Sequence, residues 1–184
     1  VARRTDPDRR DRIVETVLDV IAEHGTAGAT YRTVSAAADV PLGSMTYHFP
    51  TRDGMLLAAF THLADTMHAR FDRVLAELPP GSDPREGVVR IIAGEGVEHR
   101  RDMVLQTELW TLAVRDERYR ELVQQWMSRS RASLARYFPP DLTPVIDALL
   151  EGLVLHSWIS VEGFDLDRVR AAVRRLTGPL EGFP

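Results

Sequence analysis

Hydrophobic positions along this chain recur at the three- and four-residue spacing of a helix. Ile13, Val14, Val17, Leu18 and Ile21 form one such stripe, and Gly25 stands where a left-handed cap would end it. Thr30 is placed as the N-cap of a short second helix carrying Val34, Ala36, Ala37 and Ala38. Asp39-Val40-Pro41 interrupts that helix, a third runs from Gly43 to Phe49, and Pro50-Thr51 breaks it. Leu56, Leu57, Phe60, Leu63, Ala64, Met67, Phe71, Val74 and Leu78 then predict one long amphipathic helix, stopped by Pro79-Pro80-Gly81. Further helices are predicted over 84–99, 102–115, 117–138, 143–160 and 166–177, with breaks at His99-Arg100-Arg101, Asp116, Pro139-Pro140 and Gly163. No alternating run between turn signals marks a hairpin. The pattern predicts an all-α chain of about nine helices, divided into residues 1–53 and 54–184.

Composition narrows the chemistry. A length of 184 residues with 44% hydrophobic positions suits a compact core, and the absence of cysteine excludes disulfides, thiolate metal sites and cysteine nucleophiles. The opening VARRTDPDRRDR is too charged for a signal peptide, and no apolar run is long enough to span a bilayer, so the expectation is a cytoplasmic protein without membrane contact. Net charge is -4, yet the first 53 residues are close to neutral and most of the acidic excess lies behind them. Such a distribution permits nucleic-acid binding at the front without arguing for it. Lysine is absent, so every cation other than histidine is an arginine.

Residues 30–49 read as two short helices joined by a tight turn. Ser35, Ala36, Ala37 and Ala38 are small enough for a close crossing, and Val40 can plug the junction. A helix-turn-helix has this form, with its second helix lying in the major groove and its first braced across the backbone. The candidate recognition helix displays Leu42, Gly43, Ser44, Thr46, Tyr47 and His48, while Met45 and Phe49 are expected to face inward. The hydroxyls, the histidine and the side-chain-free Gly43 suit phosphates or base edges. A plain helical hairpin with a polar face fits the spacing equally well.

The wording of the segment goes further. Ile21-Ala22-Glu23-His24-Gly25, Thr30-Tyr31-Arg32, Ala38 through Phe49, and Pro50-Thr51-Arg52-Asp53-Gly54-Met55-Leu56 together resemble the DNA-binding module of the tetracycline-repressor (TetR) family. Asp39 takes the usual turn glycine's place, Pro41 that of a capping serine, Leu42 that of a polar or cationic residue, and Thr46 that of a tyrosine. The resemblance implies that residues 1–53 form a helix-turn-helix DNA-binding domain and 54–184 a helical ligand-binding and dimerisation domain. It implies backbone-positioning roles for Thr30, Arg32, Thr33 and Arg52, and a groove-facing set of Gly43, Ser44, Thr46, Tyr47 and His48. The N-terminus of the helix beginning near Arg52 is a further phosphate candidate. Arg3 and Arg4 form either an arm that reaches the duplex or a solvated tail.

In the same family the last two long helices usually build a four-helix bundle with a partner. Here the 143–160 helix is apolar almost all round, so it calls for cover on both sides. Leu149, Gly152, Leu153, Trp158, Val169 and Val173 are the expected dimer contacts. Two recognition helices about one DNA turn apart, ~34 Å, then read a palindromic operator. For an unknown small-molecule effector the candidate pocket residues are Met67, Phe71, Met103, Glu108, Trp110, Trp126, Met127 and His156, large adaptable groups with a few polar anchors. The same residues suit an ordinary core. The resemblance implies a repressor released from its operator by that effector.

Two rival readings account for parts of the chain. An enzyme lacks support, since no Gly-rich phosphate loop, HExxH helix or histidine with a nearby nucleophile is present, and no catalytic set or cofactor is expected. His62, Asp65, His68 and Asp72 share a helix face and could contribute to a metal site, but a solvated polar face accounts for them, and no metal is expected. A helical adaptor binding a metal or small molecule without DNA accounts for the rear of the chain and leaves residues 30–49 unexplained.

Overall fold

The computed structural model describes residues 9–94, 100–161 and 165–179. Among these, the chain is all-helical: α1 (Arg9–Gly28), α2 (Tyr31–Ala37), α3 (Leu42–His48), α4 (Arg52–Ala76), α5 (Arg85–Ile92), α6 (Arg100–Ala113), α7 (Glu117–Leu134), α8 (Thr143–Ile159) and α9 (Leu166–Thr177). Packing divides it into two compact units. One comprises residues 1–64 with 104–122, the other 65–103 with 123–184, so α4, α6 and α7 each continue from one unit into the other.

The first unit is built on the stripe of α1, whose Ile13, Val17 and Ile21 are fully buried. Gly25 has φ 67 and ψ 172, which kinks α1 and leaves one further turn to Gly28. Only glycine takes that angle without strain. Thr30 caps α2 through a reciprocal box: its hydroxyl accepts from Thr33 N, and the Thr33 hydroxyl accepts from Thr30 N at 2.9 Å. Asp39 sits at φ 50, the left-handed turn position that aspartate tolerates. Met45 and Phe49 point inward as expected, at 0% and 3% exposure. The brace differs from expectation. Ala36 and Ala37 lie exposed, whereas Ser35, expected at the crossing, is buried with Val34 on the inner face of α2. Phe60 of α4 meets Tyr119 of α7 edge to face at 6.0 Å.

In the second unit α5 packs on both α8 and α9. On another side of α5, Gly87 lies close to the end of α4: a Cβ there would come within 2.9 Å of Leu75 Cδ2 and 3.0 Å of Leu78 Cδ1, so these leucines would have to shift. Arg85 fastens the far end of α9, donating to the Thr177 hydroxyl at 2.8 Å and to Gly178 O at 2.5 Å. Arg170 forks onto Glu86 at 3.2 and 3.4 Å. The helix expected over 84–99 stops at Ile92, because Gly94 turns to φ 102. That expected over 117–138 ends at Leu134, ahead of a turn leading to Pro139. His99 and Gly163, expected as breaks, lie outside the described residues.

Candidate nucleic-acid interface

Successive residues of α3 advance by about 100° around its axis, so seven residues go twice round. Leu42, Thr46, Gly43 and Tyr47 fall next to one another on that wheel, and all are exposed. Tyr47 is 83% exposed and Leu42 54%. Met45 is buried, and so is Phe49, where the chain leaves the helix. A Cβ on Gly43 would meet nothing within 4 Å, so neither packing nor backbone angle demands glycine there. His48 is half-buried, its ring held edge-on to Tyr47 at 5.1 Å. Thr46 donates its hydroxyl proton to Gly43 O at 3.2 Å.

Ser44 is a correction. The expectation set it in the groove, but it is only 4% exposed and its hydroxyl has no hydrogen-bond partner. Helical spacing explains the difference, since Ser44 follows Tyr47 on the wheel and falls on the inner side.

Arg52 is a second correction. Its Nε donates to Ala29 O at 2.9 Å and its Nη2 to Thr26 O. The guanidinium therefore ties the start of α4 to the carbonyls that end α1, and is already engaged. Thr51 accepts from Gly54 N at 3.1 Å, taking one free N–H at the start of α4 that had been offered to a phosphate. Arg32 remains exposed on α2, and Arg10 lies 5.4 Å over the Phe49 ring. Thr30 and Thr33 are exposed, with hydroxyls turned onto the backbone. Arg3 and Arg4 lie outside the described residues. Tyr31, to which sequence pattern assigns no role, donates its hydroxyl to Phe49 O at 2.5 Å and locks the end of α3 to α2. Only the tight fold of the hairpin brings those residues together.

The effector candidates separate between the units. Glu108 and Trp110 belong to the first, and Glu108 accepts from the Thr26 hydroxyl at 3.1 Å and Thr26 N at 3.4 Å. It caps the turn after the α1 kink, a correction to its expected place as a ligand anchor. Met67, Met103 and Trp126 are buried in the second unit, with Phe71 and Met127 half-buried. His156 is exposed on α8, a further correction, since it shares a stripe with Gly152 and Ile159 rather than lying among core residues. Val169 and Val173, expected at a dimer contact, are buried on the α9 face that packs on α5. Leu149 and Leu153 are half-exposed and Gly152 open. Trp158 is 41% exposed, off the stripe by helical spacing.

The acidic groups of the second unit have specific surroundings. Asp72 accepts from Ser133 at 2.6 Å and from Arg136, and the serine hydrogen bond chiefly holds its carboxyl below the usual range. Asp65 pairs with Arg129 at 2.5 Å. His68 stands among these charges, and burial foremost, then Arg129, lowers its pKa. In the first unit His62 pairs with Glu15 at 2.6 Å. Asp147 on α8 is buried, accepts from Arg131 Nε at 2.9 Å, and is raised by burial. One turn on, burial and then the Asp147 charge push Glu151 up to about 7. Among the described residues no three His, Asp or Glu side chains gather as metal ligands, and no helix is long and apolar enough to cross a membrane.

A capped three-helix unit that turns an uncharged helix face outward on a buried Met-Phe anchor defines a helix-turn-helix protein. Residues 13–59 match the family described as bacterial regulatory proteins, tetR family, and residues 81–179 match the tetracyclin repressor-like C-terminal domain. A solved transcriptional regulator from Streptomyces coelicolor A3(2) is 40% identical, with 94% of this chain and 100% of that one covered and a TM-score of 0.87. The multidrug binding protein EbrR, solved with imidazole, is 31% identical over 96% of this chain and 99% of its own, with a TM-score of 0.82. The regulator CymR of Pseudomonas putida is 31% identical over 135 residues, which span 70% of this chain and 64% of that protein. The chain belongs to the TetR family of DNA-binding transcriptional regulators.

Proposed function

We propose that the protein is a homodimeric repressor that holds a palindromic operator through α3 and releases it when an organic cation binds the second unit. The outward arc of α3 carries the DNA half of this reading, because Tyr47 and Gly43 are exposed without any structural need. Replacing Tyr47 or Thr46 with alanine should abolish gel-shift retention of the promoter upstream of the protein's own gene while leaving the dimer intact. Retention unchanged in both variants would sink it.

The dimer reading rests on α8. Val145, Ala148, Gly152, His156 and Ile159 form an exposed stripe, apolar but for one histidine. Water-exposed apolar stripes of this length are normally covered, and a second copy covers this one with its own.

Support for a cationic effector comes from two directions. EbrR has been solved with ethidium, proflavin and malachite green. In this chain Glu151, beside buried Asp147, has its charged form disfavoured. A cation that binds nearby favours the ionised carboxylate, and by linkage binds it in preference. Its affinity should therefore climb as pH rises through about 7. Glu151→Gln should flatten that rise in an ethidium fluorescence titration; an equally steep rise in the variant would remove Glu151 from the reading. Effector and operator then compete as two ligands for different populations of one dimer.

A further inference from the structure

The outward arc of α3 has an unusual chemistry for a surface that meets DNA. Leu42, Thr46, Gly43 and Tyr47 supply an isobutyl group, a methyl with its hydroxyl, bare backbone and a phenol. None is charged and none is an amide. Guanine is read in the major groove by a guanidinium or ammonium on O6 and N7, and adenine by a carboxamide on N6 and N7. No residue of α3 from Leu42 to His48 carries any of these groups. The cation that ends nearest in sequence, Arg52, is spent on Ala29 O and Thr26 O.

One feature of the major groove matches an exposed isobutyl group, the C5 methyl of thymine. Leu42 opens α3, the end of a recognition helix whose side chains reach base edges. At 54% exposure more than half of its apolar surface is left open. Thr46 follows it by one turn on the same side. Its hydroxyl proton points back to Gly43 O, so the atoms it has left to offer are its methyl and an acceptor oxygen. Neighbouring Gly43 leaves open space that lets the two side chains approach the base edges without obstruction.

The geometry points to thymine-methyl recognition by Leu42, with Thr46 beside it, as the specificity element of this regulator: each operator half-site presents an A·T pair whose methyl packs on Leu42. Arg32 and the arginines of α1 then supply phosphate contacts that carry no sequence information. This assignment rests on the DNA-binding reading above and adds to it the chemistry of the bases.

The test uses the full-length protein and a pool of random duplexes. Bound sequences are selected, and in the winning half-site each thymine is replaced singly by uracil, which deletes the methyl and leaves the Watson–Crick edge unchanged. At one or two thymines affinity should fall about three- to tenfold, the size expected for one buried methyl. In Leu42→Ala the same uracil substitutions should cost nothing, while the melting temperature stays where it was because Leu42 is exposed. If selection enriches a palindrome that is indifferent to every uracil, the thymine assignment is wrong and the regulator reading stands. If selection enriches no sequence, both fall together.

Discussion

Replacing Arg52 with methionine keeps the aliphatic stem and removes the guanidinium that binds Thr26 O and Ala29 O. Two partly buried carbonyls lose a charged donor, a change worth about 2 kcal/mol. Urea unfolding should report that loss. The salt dependence of DNA affinity should keep its slope, because the donors of this arginine are turned onto backbone carbonyls. Arg32→Met is the counterpart. It should leave urea stability within about 0.5 kcal/mol and lower the salt slope by about 1. A reversed pattern would return Arg52 to the DNA. Side chains of one type thus divide their work by what lies across from them, and Ser44 and Glu108 follow the same rule. Both looked like contacts from their position in the chain, and both are turned to the interior or to the α1 turn instead.

At the scale of elements, α8 shows how a helix serves two neighbours. Ile146, Leu150 and Val154 face the interior of the unit, and Val145, Gly152 and Ile159 face out. Between these faces lie Asp147 and Glu151, so burying α8 also buries charge. The folded pKa of Glu151, at about 7, stands above its ordinary value of 4.5. The folded state therefore binds the proton more tightly, and its advantage is fully present below pH 4.5 and lost as pH rises through about 7. Melting temperature in the absence of effector should fall across that window from Glu151. Glu151→Gln should remove this part of the slope and melt higher than the parent at pH 8; identical pH profiles would show that Glu151 does not titrate there. Short helices depend on their ends, as α2 and α3 show: one has the reciprocal Thr30–Thr33 cap, while α3 begins at Pro41 with no side-chain cap and is held by Met45, Phe49 and the Tyr31 hydroxyl.

For the whole molecule the decisive question is assembly. On the proposed reading, one seven-residue recognition helix takes one half-site, and two copies related by a two-fold axis take a palindrome. Gly152→Arg tests the proposed interface without disturbing the chain itself, because a Cβ at that position meets nothing within 4 Å. The variant should scatter light as a monomer, keep its helical circular dichroism, and lose operator affinity by orders of magnitude. A dimer that survives the substitution would place the contact elsewhere. Val169→Ala and Val173→Ala should behave differently, lowering stability through the contact of α9 with α5 rather than splitting a dimer.

The order of amino acids determined a great deal alone. Apolar spacing placed the helices of α1 to α4 and α6 to α9 within a few residues, Thr30 announced its cap, and Asp39 its left-handed turn. Periodicity and capping act over three or four residues and are written locally, whereas DNA binding was legible only through the resemblance of the phrase from Ala38 to Leu56 to a known family. Tertiary structure alone decided the partners of polar side chains. Glu108 meets Thr26 across 82 positions and Arg52 meets Ala29 across 23. Such pairs are chosen by which faces come together in space, and a carboxylate or guanidinium bonds to whatever buried donor or carbonyl the fold places before it. The same packing turned Val169 and Val173 inward and left Leu42 in the open.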